Sequence, residues 1–249
     1  MRVTSGDATL HVEVSGSGPP LLSVSGSGSA LGEGTSAVPA ALTERFRVAG
    51  FDHRGLGRSS GADRPLTMAD FAADGFAVAD ALGWSQFAVL GVSFGGMVAL
   101  EMAASQPDRI TALVVACSSS GGAGGSSYPL HERPAPLEAL RLADSRPEAW
   151  PRLIALLSGR QPSREPAYER QLQARRGHDV WDRLPSVTAP TLVAAGTHDL
   201  IAPPVNSQAI ASRVPGSVYE AFDGGHAFLL QDERAWPRVI DFLSHTSSS

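Results

Sequence analysis

Three residues far apart in the chain have the types that together turn a hydroxyl into a nucleophile. Ser93 stands in Gly91-Val92-Ser93-Phe94-Gly95, with a further glycine at 96. Asp199 stands in Gly196-Thr197-His198-Asp199-Leu200, and His226 in Gly224-Gly225-His226-Ala227. A serine hydroxyl is a weak nucleophile until a base takes its proton, and an imidazole is a good base when a carboxylate fixes its tautomer. The expected roles are Ser93 as nucleophile, His226 as general base and then acid, and Asp199 as the group that orients the ring.

The bland readings are plain. Ser93 would be a structural strand-to-helix turn, Asp199 a turn former or helix cap, and His226 an ordinary loop histidine. His198 adjoins Asp199 but would need a reversed chain order to act as base. His11, His53, His131, His178 and His245 are expected to be surface or structural residues.

Stepping outward from Ser93, the apolar run Phe87 to Gly91 enters the turn, and a helical pattern over Ser93 to Ser105 leaves it. A sharp strand-turn-helix lifts the hydroxyl clear of a sheet and sets it at a helix N-terminus, where negative charge is favoured. Glycines two before and two after the serine keep Cβ atoms out of that turn. The backbone N–H of Phe94 is the first expected oxyanion donor. The second is expected from Ser25-Gly26-Ser27-Gly28-Ser29, with the Ser27 N–H preferred and Gly26 next. The side chain of Ser25 or Ser27 is a further donor to substrate.

Further short apolar runs occur at Leu10 to Val14, Pro20 to Ser25, Arg47 to Phe51, Ile110 to Cys117, Thr191 to Ala195 and Ser217 to Phe222. Helical patterns fall at Met68 to Leu82, Val205 to Val214 and Asp232 to His245. Strands alternating with helices argue for a doubly wound α/β sandwich with a parallel sheet. The rhythm breaks over residues 121–183, which read as a helical cap insertion with short helices at Leu137 to Ala143, Glu148 to Leu157 and Tyr168 to Gly177. The Gly/Ser stretch Ser118 to Ser127 is expected to be mobile, Ser247 to Ser249 to fray, and the Gly224-Gly225 pair to make a flexible turn. Residues 1–249 are expected to form one domain.

Composition excludes several classes. The chain has 249 residues, 43% apolar and 18% charged, with a net charge of −5, so neither nucleic acid nor an anionic membrane is an expected partner. Every one of its 20 basic residues is arginine, which excludes any catalytic lysine. The one cysteine, Cys117, cannot form an intrachain disulfide and reads as a small buried side chain. The N-terminus lacks a signal-peptide apolar core and no stretch is long enough to span a membrane, so the expected location is the cytoplasm.

These motifs, with Asp52-His53-Arg54-Gly55-Leu56-Gly57-Arg58-Ser59, make the chain resemble the α/β-hydrolase superfamily over nearly its whole length. The resemblance implies a mostly parallel twisted sheet of about eight strands with helices on both faces. It also implies the order nucleophile, acid, histidine. The family often has His-Gly where Ser25-Gly26 stand, and in this the chain looks more like the 3-oxoadipate enol-lactonase-like branch. The Asp52 to Ser59 stretch is expected to pack the loop near the oxyanion donors.

The reading this supports is hydrolysis of a carboxylic ester or lactone of a small to medium organic molecule, through an acyl-enzyme, with no cofactor and no metal, by a monomer or homodimer. Related enzymes with an aspartate nucleophile or an active-site lysine are set aside, because Ser93 holds the first position and the chain has no lysine. Carbon–carbon bond hydrolysis or natural-product tailoring on the same triad is the alternative, and a ligand-binding receptor on the same scaffold is a third. Phe94, Tyr128, Trp150, Trp181 and Phe228 stand either at the pocket mouth or in ordinary core.

Overall fold

A computed structural model describes residues 1–31, 38–61, 63–127, 134–157 and 165–246. Tyr128, His131 and the tail 247–249 lie outside these residues. Eight strands are described: β1 (Arg2–Ser5), β2 (Ala8–Ser15), β3 (Pro20–Val24), β4 (Arg47–Phe51), β5 (Phe87–Val92), β6 (Ile110–Ala116), β7 (Thr191–Gly196) and β8 (Val218–Phe222). They form one sheet in the order β1-β2-β4-β3-β5-β6-β7-β8. Strand β2 runs antiparallel to β1 and to β4, and every other pairing is parallel. Strand β1 is too short to show an alternation in sequence; its pairing with β2, Arg2 to His11 through Ser5 to Ala8, defines it.

Strands β5, β6 and β7 are buried almost throughout, which is why their sequences are continuous apolar runs rather than alternating ones. Two cores follow, one on each face. Helices α2 (Met68–Ala81), α3 (Phe94–Ser105) and α7 (Pro204–Arg213) cover one face through Phe71, Met97 and Ile210. Helices α1 (Ala40–Thr43), α8 (Phe228–Gln231) and α9 (Ala235–Thr246) cover the other through Leu42, Phe228, Val239 and Phe242. Each such side chain contributes about 1.5–3 kcal/mol on leaving water. Helix α2 starts where Thr67 and Asp70 cap each other reciprocally, and Gly83 at φ 73° follows its end.

The last helix is shorter than its apolar pattern suggests. Asp232 is not its first residue; its carboxylate accepts from Asp223 N–H at 2.8 Å and from Arg234 N–H at 2.9 Å. It thereby ties the end of β8 to the start of α9.

The insertion carries helices α4 (Pro136–Ala143), α5 (Trp150–Leu157) and α6 (Glu165–Arg176). The Gly/Ser stretch leading into it is packed rather than mobile. Ser118, Ser119, Ser120 and Ser127 are buried, and Ser127 Oγ donates to Ser119 Oγ at 3.0 Å. A Cβ at Gly121 (φ 70°) would lie 1.8 Å from the His178 carbonyl, so glycine serves close approach there. Among the described residues, no helix is long and apolar enough to cross a membrane.

Candidate active site

The parallel strands end on one rim, where an open α/β sheet places its ligands. Past β5 the chain turns at Ser93, whose φ of 56° and ψ of −116° lie outside the regions a side chain favours. Such a conformation costs on the order of 1–3 kcal/mol and persists only where its surroundings over-determine it. Here Ser93 N–H donates to the Ala116 carbonyl at 2.8 Å. Its carbonyl accepts from Ser118 Oγ at 2.8 Å and Gly96 N–H at 2.9 Å. The glycines are obligatory: a Cβ at Gly91 would stand 2.3 Å from the Gly95 carbonyl oxygen, and one at Gly95 would stand 2.0 Å from that of Val24.

Asp199 follows β7 and is wholly buried. One carboxylate oxygen accepts from Ile201 N–H at 2.8 Å and Ala202 N–H at 2.9 Å. The other lies 2.7 Å from His226 Nδ1. His226 Nε2 lies 2.8 Å from Ser93 Oγ, and the ring is 19% exposed. The carboxylate can only accept, so it holds the proton on Nδ1 and leaves the Nε2 lone pair facing the hydroxyl. The three residues singled out in sequence therefore meet in one chain of contacts, Ser93 to His226 to Asp199.

The turn carrying His226 is braced rather than flexible. His226 N–H donates to the Ala143 carbonyl at 2.6 Å, and a Cβ at Gly225 would lie 2.0 Å from that same oxygen. Leu200 N–H donates to Leu142 O at 2.9 Å, and Ser145 N–H to His198 O at 3.0 Å. The end of α4 is thus strung between the Asp199 loop and the His226 turn. Asp144, fully buried, accepts from Arg146 and Gln231 there. This bracing was invisible in sequence, because residues 142–145 carry no motif.

The loop after β3 faces the nucleophile from the other side. A Cβ at Gly26 would lie 3.5 Å from Ser93 Cβ and 3.9 Å from Ser93 Oγ. Gly28 N–H donates to Gln171 Oε1 at 2.9 Å, and Ser29 N–H to the Gly26 carbonyl at 3.3 Å. Among the described residues, the amides of Gly26 and Ser27 have no hydrogen-bond acceptor. Phe94 N–H opens α3, among the helix amides that have no intrahelical acceptor.

The Asp52 to Ser59 stretch anchors this loop. His53 Nε2 donates to the Ser25 carbonyl at 2.9 Å, and Asp52 accepts from Leu31 N–H at 2.6 Å and Arg58 N–H at 2.8 Å. Arg54 makes a buried two-pronged pair with Asp74 at 2.7 and 2.6 Å. Burial pushes the His53 imidazole pKa down from its ordinary range.

The remaining histidines lie elsewhere. His178 is buried with Nε2 3.1 Å from the Ser119 carbonyl, and burial lowers its pKa to about 4. His198 points to Asp223 at 3.5 Å, His11 to Glu13, and His245 to Asp241. Of the aromatic residues, Phe94 packs edge-on to Phe71 with ring centres 4.9 Å apart, and Phe228 stacks on Phe222 at 5.2 Å. Both are core. Trp150 Nε1 donates to the Asp144 carbonyl at 2.8 Å, and Arg213 lies over Trp181 at 4.8 Å. Cys117 is buried, with its thiol pushed well up by desolvation. Its sulfur lies within 4.8 Å of the Asp199 and His226 ligand atoms, but that imidazole nitrogen and carboxylate are already bonded to each other.

A mostly parallel eight-stranded sheet with a serine elbow, a buried acid and a histidine on one rim defines the α/β-hydrolase architecture. Residues 19–164 match the family of the alpha/beta hydrolase fold, and the chain belongs to it. It is 30% identical over 259 residues to RutD of Variovorax paradoxus, a protein designated a carbamate hydrolase, covering 96% of this chain and 97% of that one. It is 29% identical over 217 residues to the poly(3-hydroxyalkanoate) depolymerase of Ectopseudomonas oleovorans, covering 82% and 77%. The enol-lactonase from Burkholderia xenovorans LB400 superposes with a TM-score of 0.83 at 24% identity, covering 98% and 100%; that likeness is one of fold.

Proposed function

We propose that the protein is a serine hydrolase that cleaves a carboxylic ester, lactone or related acyl bond of a small organic molecule. The observation that carries this reading is the chain of contacts from Asp199 through His226 to Ser93, at 2.7 and 2.8 Å. Ser93 Oγ adds to the acyl carbon while its proton passes to His226 Nε2. The resulting oxyanion accepts from the N–H groups of Phe94 and Ser27. His226 then delivers the proton to the leaving heteroatom as the acyl–heteroatom bond breaks. Water, deprotonated by the same imidazole, adds to the acyl-serine, and Ser93 departs with a proton. Asp199 stays ionised and stabilises the imidazolium formed in each half. The names of the two sequence relatives, carbamate hydrolase and poly(3-hydroxyalkanoate) depolymerase, support a bond-cleaving role of this kind.

The test is turnover of short 4-nitrophenyl esters and a lactone panel by wild type, Ser93→Ala and His226→Ala, with fluorophosphonate labelling read by intact mass. Labelling of wild type alone, with turnover lost in both variants, is expected. A folded wild type that neither labels nor turns over any ester would overturn the reading.

A further inference from the structure

Gln171 and Arg175, four residues apart on helix α6, share one face, and His178 follows two residues past the helix's end. The outer two have assigned partners. Gln171 Oε1 receives Gly28 N–H from the loop facing Ser93. His178 contacts the carbonyl of Ser119, next to the Ser118 hydroxyl that holds the Ser93 carbonyl. Arg175 lies between them in sequence, about one helical turn after Gln171, and its carbonyl accepts from His178 N–H at 3.1 Å.

Arg175 is only 8% exposed, yet among the described residues no carboxylate lies within ion-pair distance of it. Among the described residues its buried Nε has no acceptor, and neither Gln171 Nε2 nor Ser27 Oγ has a hydrogen-bond partner. Desolvation lowers the guanidinium's pKa, against a smaller opposing effect of Tyr168, seven residues earlier on α6. Burying a cation without a counter-charge is unfavourable by several kcal/mol unless something compensates. The C-terminal end of α6 is not the compensation. Arg176, the last residue of the helix, is exposed, whereas Arg175 Nε is buried and, among the described residues, bonds to no terminal carbonyl. Three unsatisfied donors, one of them charged, are grouped on α6 and the loop it touches.

We infer that Arg175, with Gln171 Nε2 and Ser27 Oγ, forms a subsite for a carboxylate carried by the substrate, so that the enzyme selects acidic esters over neutral ones. The inference rests on the hydrolase reading above. A guanidinium presents a planar fork that matches a carboxylate's two oxygens. Seating a carboxylate there gives the buried charge its missing partner, and holds the scissile carbonyl against Ser93 by its remote end. Arg175 is then a specificity residue, and Gln171 both steadies the oxyanion loop and contributes a donor.

The test compares mono-4-nitrophenyl adipate, pimelate and suberate with their methyl esters, which differ only in the remote charge and span a range of reach. Wild type is expected to prefer at least one free acid over its methyl ester. Arg175→Met is expected to lower kcat/KM for that acid by at least about 30-fold while moving the methyl ester less than about threefold. Arg175→Lys keeps the charge but not the fork, and is expected to fall between. A wild type that favours every methyl ester, or an Arg175→Met that lowers both substrates equally, overturns the subsite. The wild-type comparison needs no variant, so a misfolded Arg175→Met leaves it decisive. If wild type turns over neither ester, the hydrolase reading fails by itself. Calorimetric titration of wild type and Arg175→Met with mono-4-nitrophenyl adipate then decides the subsite: binding lost in the variant supports it, and equal or absent binding in both overturns it.

Discussion

Gln171 of helix α6 accepts a hydrogen bond from the N–H of Gly28 at 2.9 Å, so α6 grips the loop that faces Ser93. The loop's own sequence, alternating serine and glycine from Ser25 to Ser29, has little intrinsic preference for one conformation. Its shape is imposed from outside, by Gln171 above and by His53 below at the Ser25 carbonyl. Replacing Gln171 with Leu should loosen the donor geometry on neutral substrates. A fall in kcat of about 10-fold with a smaller change in KM is expected, read by steady-state kinetics on a neutral 4-nitrophenyl ester. An unchanged kcat would mean that the loop holds itself.

Asp199→Asn separates geometry from protonation. The asparagine carbonyl can still accept from Ile201 and Ala202, which turns its NH2 towards His226 Nδ1. The imidazole must then accept at Nδ1 and carry its proton at Nε2, the wrong tautomer for taking the Ser93 proton. The expected result is a fall in kcat of about 10³- to 10⁴-fold with thermal stability nearly preserved. Fluorophosphonate labelling should slow in parallel.

The glycines around the site divide into two kinds, and alanine substitution distinguishes them. At Gly95 a methyl group meets the Val24 carbonyl oxygen at 2.0 Å, a backbone atom that cannot yield without parting β3 from α3. Gly95→Ala should destabilise the fold by about 3 kcal/mol or more, seen as a large drop in the urea midpoint. At Gly26 the same methyl meets Ser93 Cβ at 3.5 Å, an ordinary contact. Gly26→Ala should fold within about 1 kcal/mol of wild type and lose ester turnover, because the methyl crowds the nucleophile.

His178 makes stability depend on pH in a defined window. Its folded pKa is about 4, first because burial disfavours the charged ring, against an ordinary value of 6.5. Between those values the unfolded chain binds a proton that the folded chain does not. Stability from this group is therefore complete above pH 6.5 and falls as the pH drops to 4, by about 3 kcal/mol in all. His53, lowered in the same direction, adds to the trend. Urea midpoints at pH 7.5, 6, 5 and 4 should decline through that range for wild type and decline less for His178→Gln. Equal slopes would show that His178 does not carry the effect.

The sequence by itself determined the alternation of strand and helix and singled out Ser93, Asp199 and His226 as candidates. Each depends on local chemistry: apolar runs that only a doubly covered sheet accommodates, and a glycine-flanked serine that only a sharp strand-to-helix turn explains. The Asp52 to Ser59 stretch was equally legible as an anchor for the neighbouring loop. The tertiary structure decided what the cap does. Residues 142–145 and the 171–178 stripe carry no motif, and on paper the polar residues of α6 are indistinguishable from a solvated face. Burial of Gln171, Arg175 and His178 arises only when α6 and the turn after it lie across the rim. The Gly224-Gly225 pair and the Ser118 to Ser127 stretch likewise read as freedom in sequence and prove to be close packing, because a missing Cβ permits flexibility and tight approach equally, and only the neighbouring chain chooses between them.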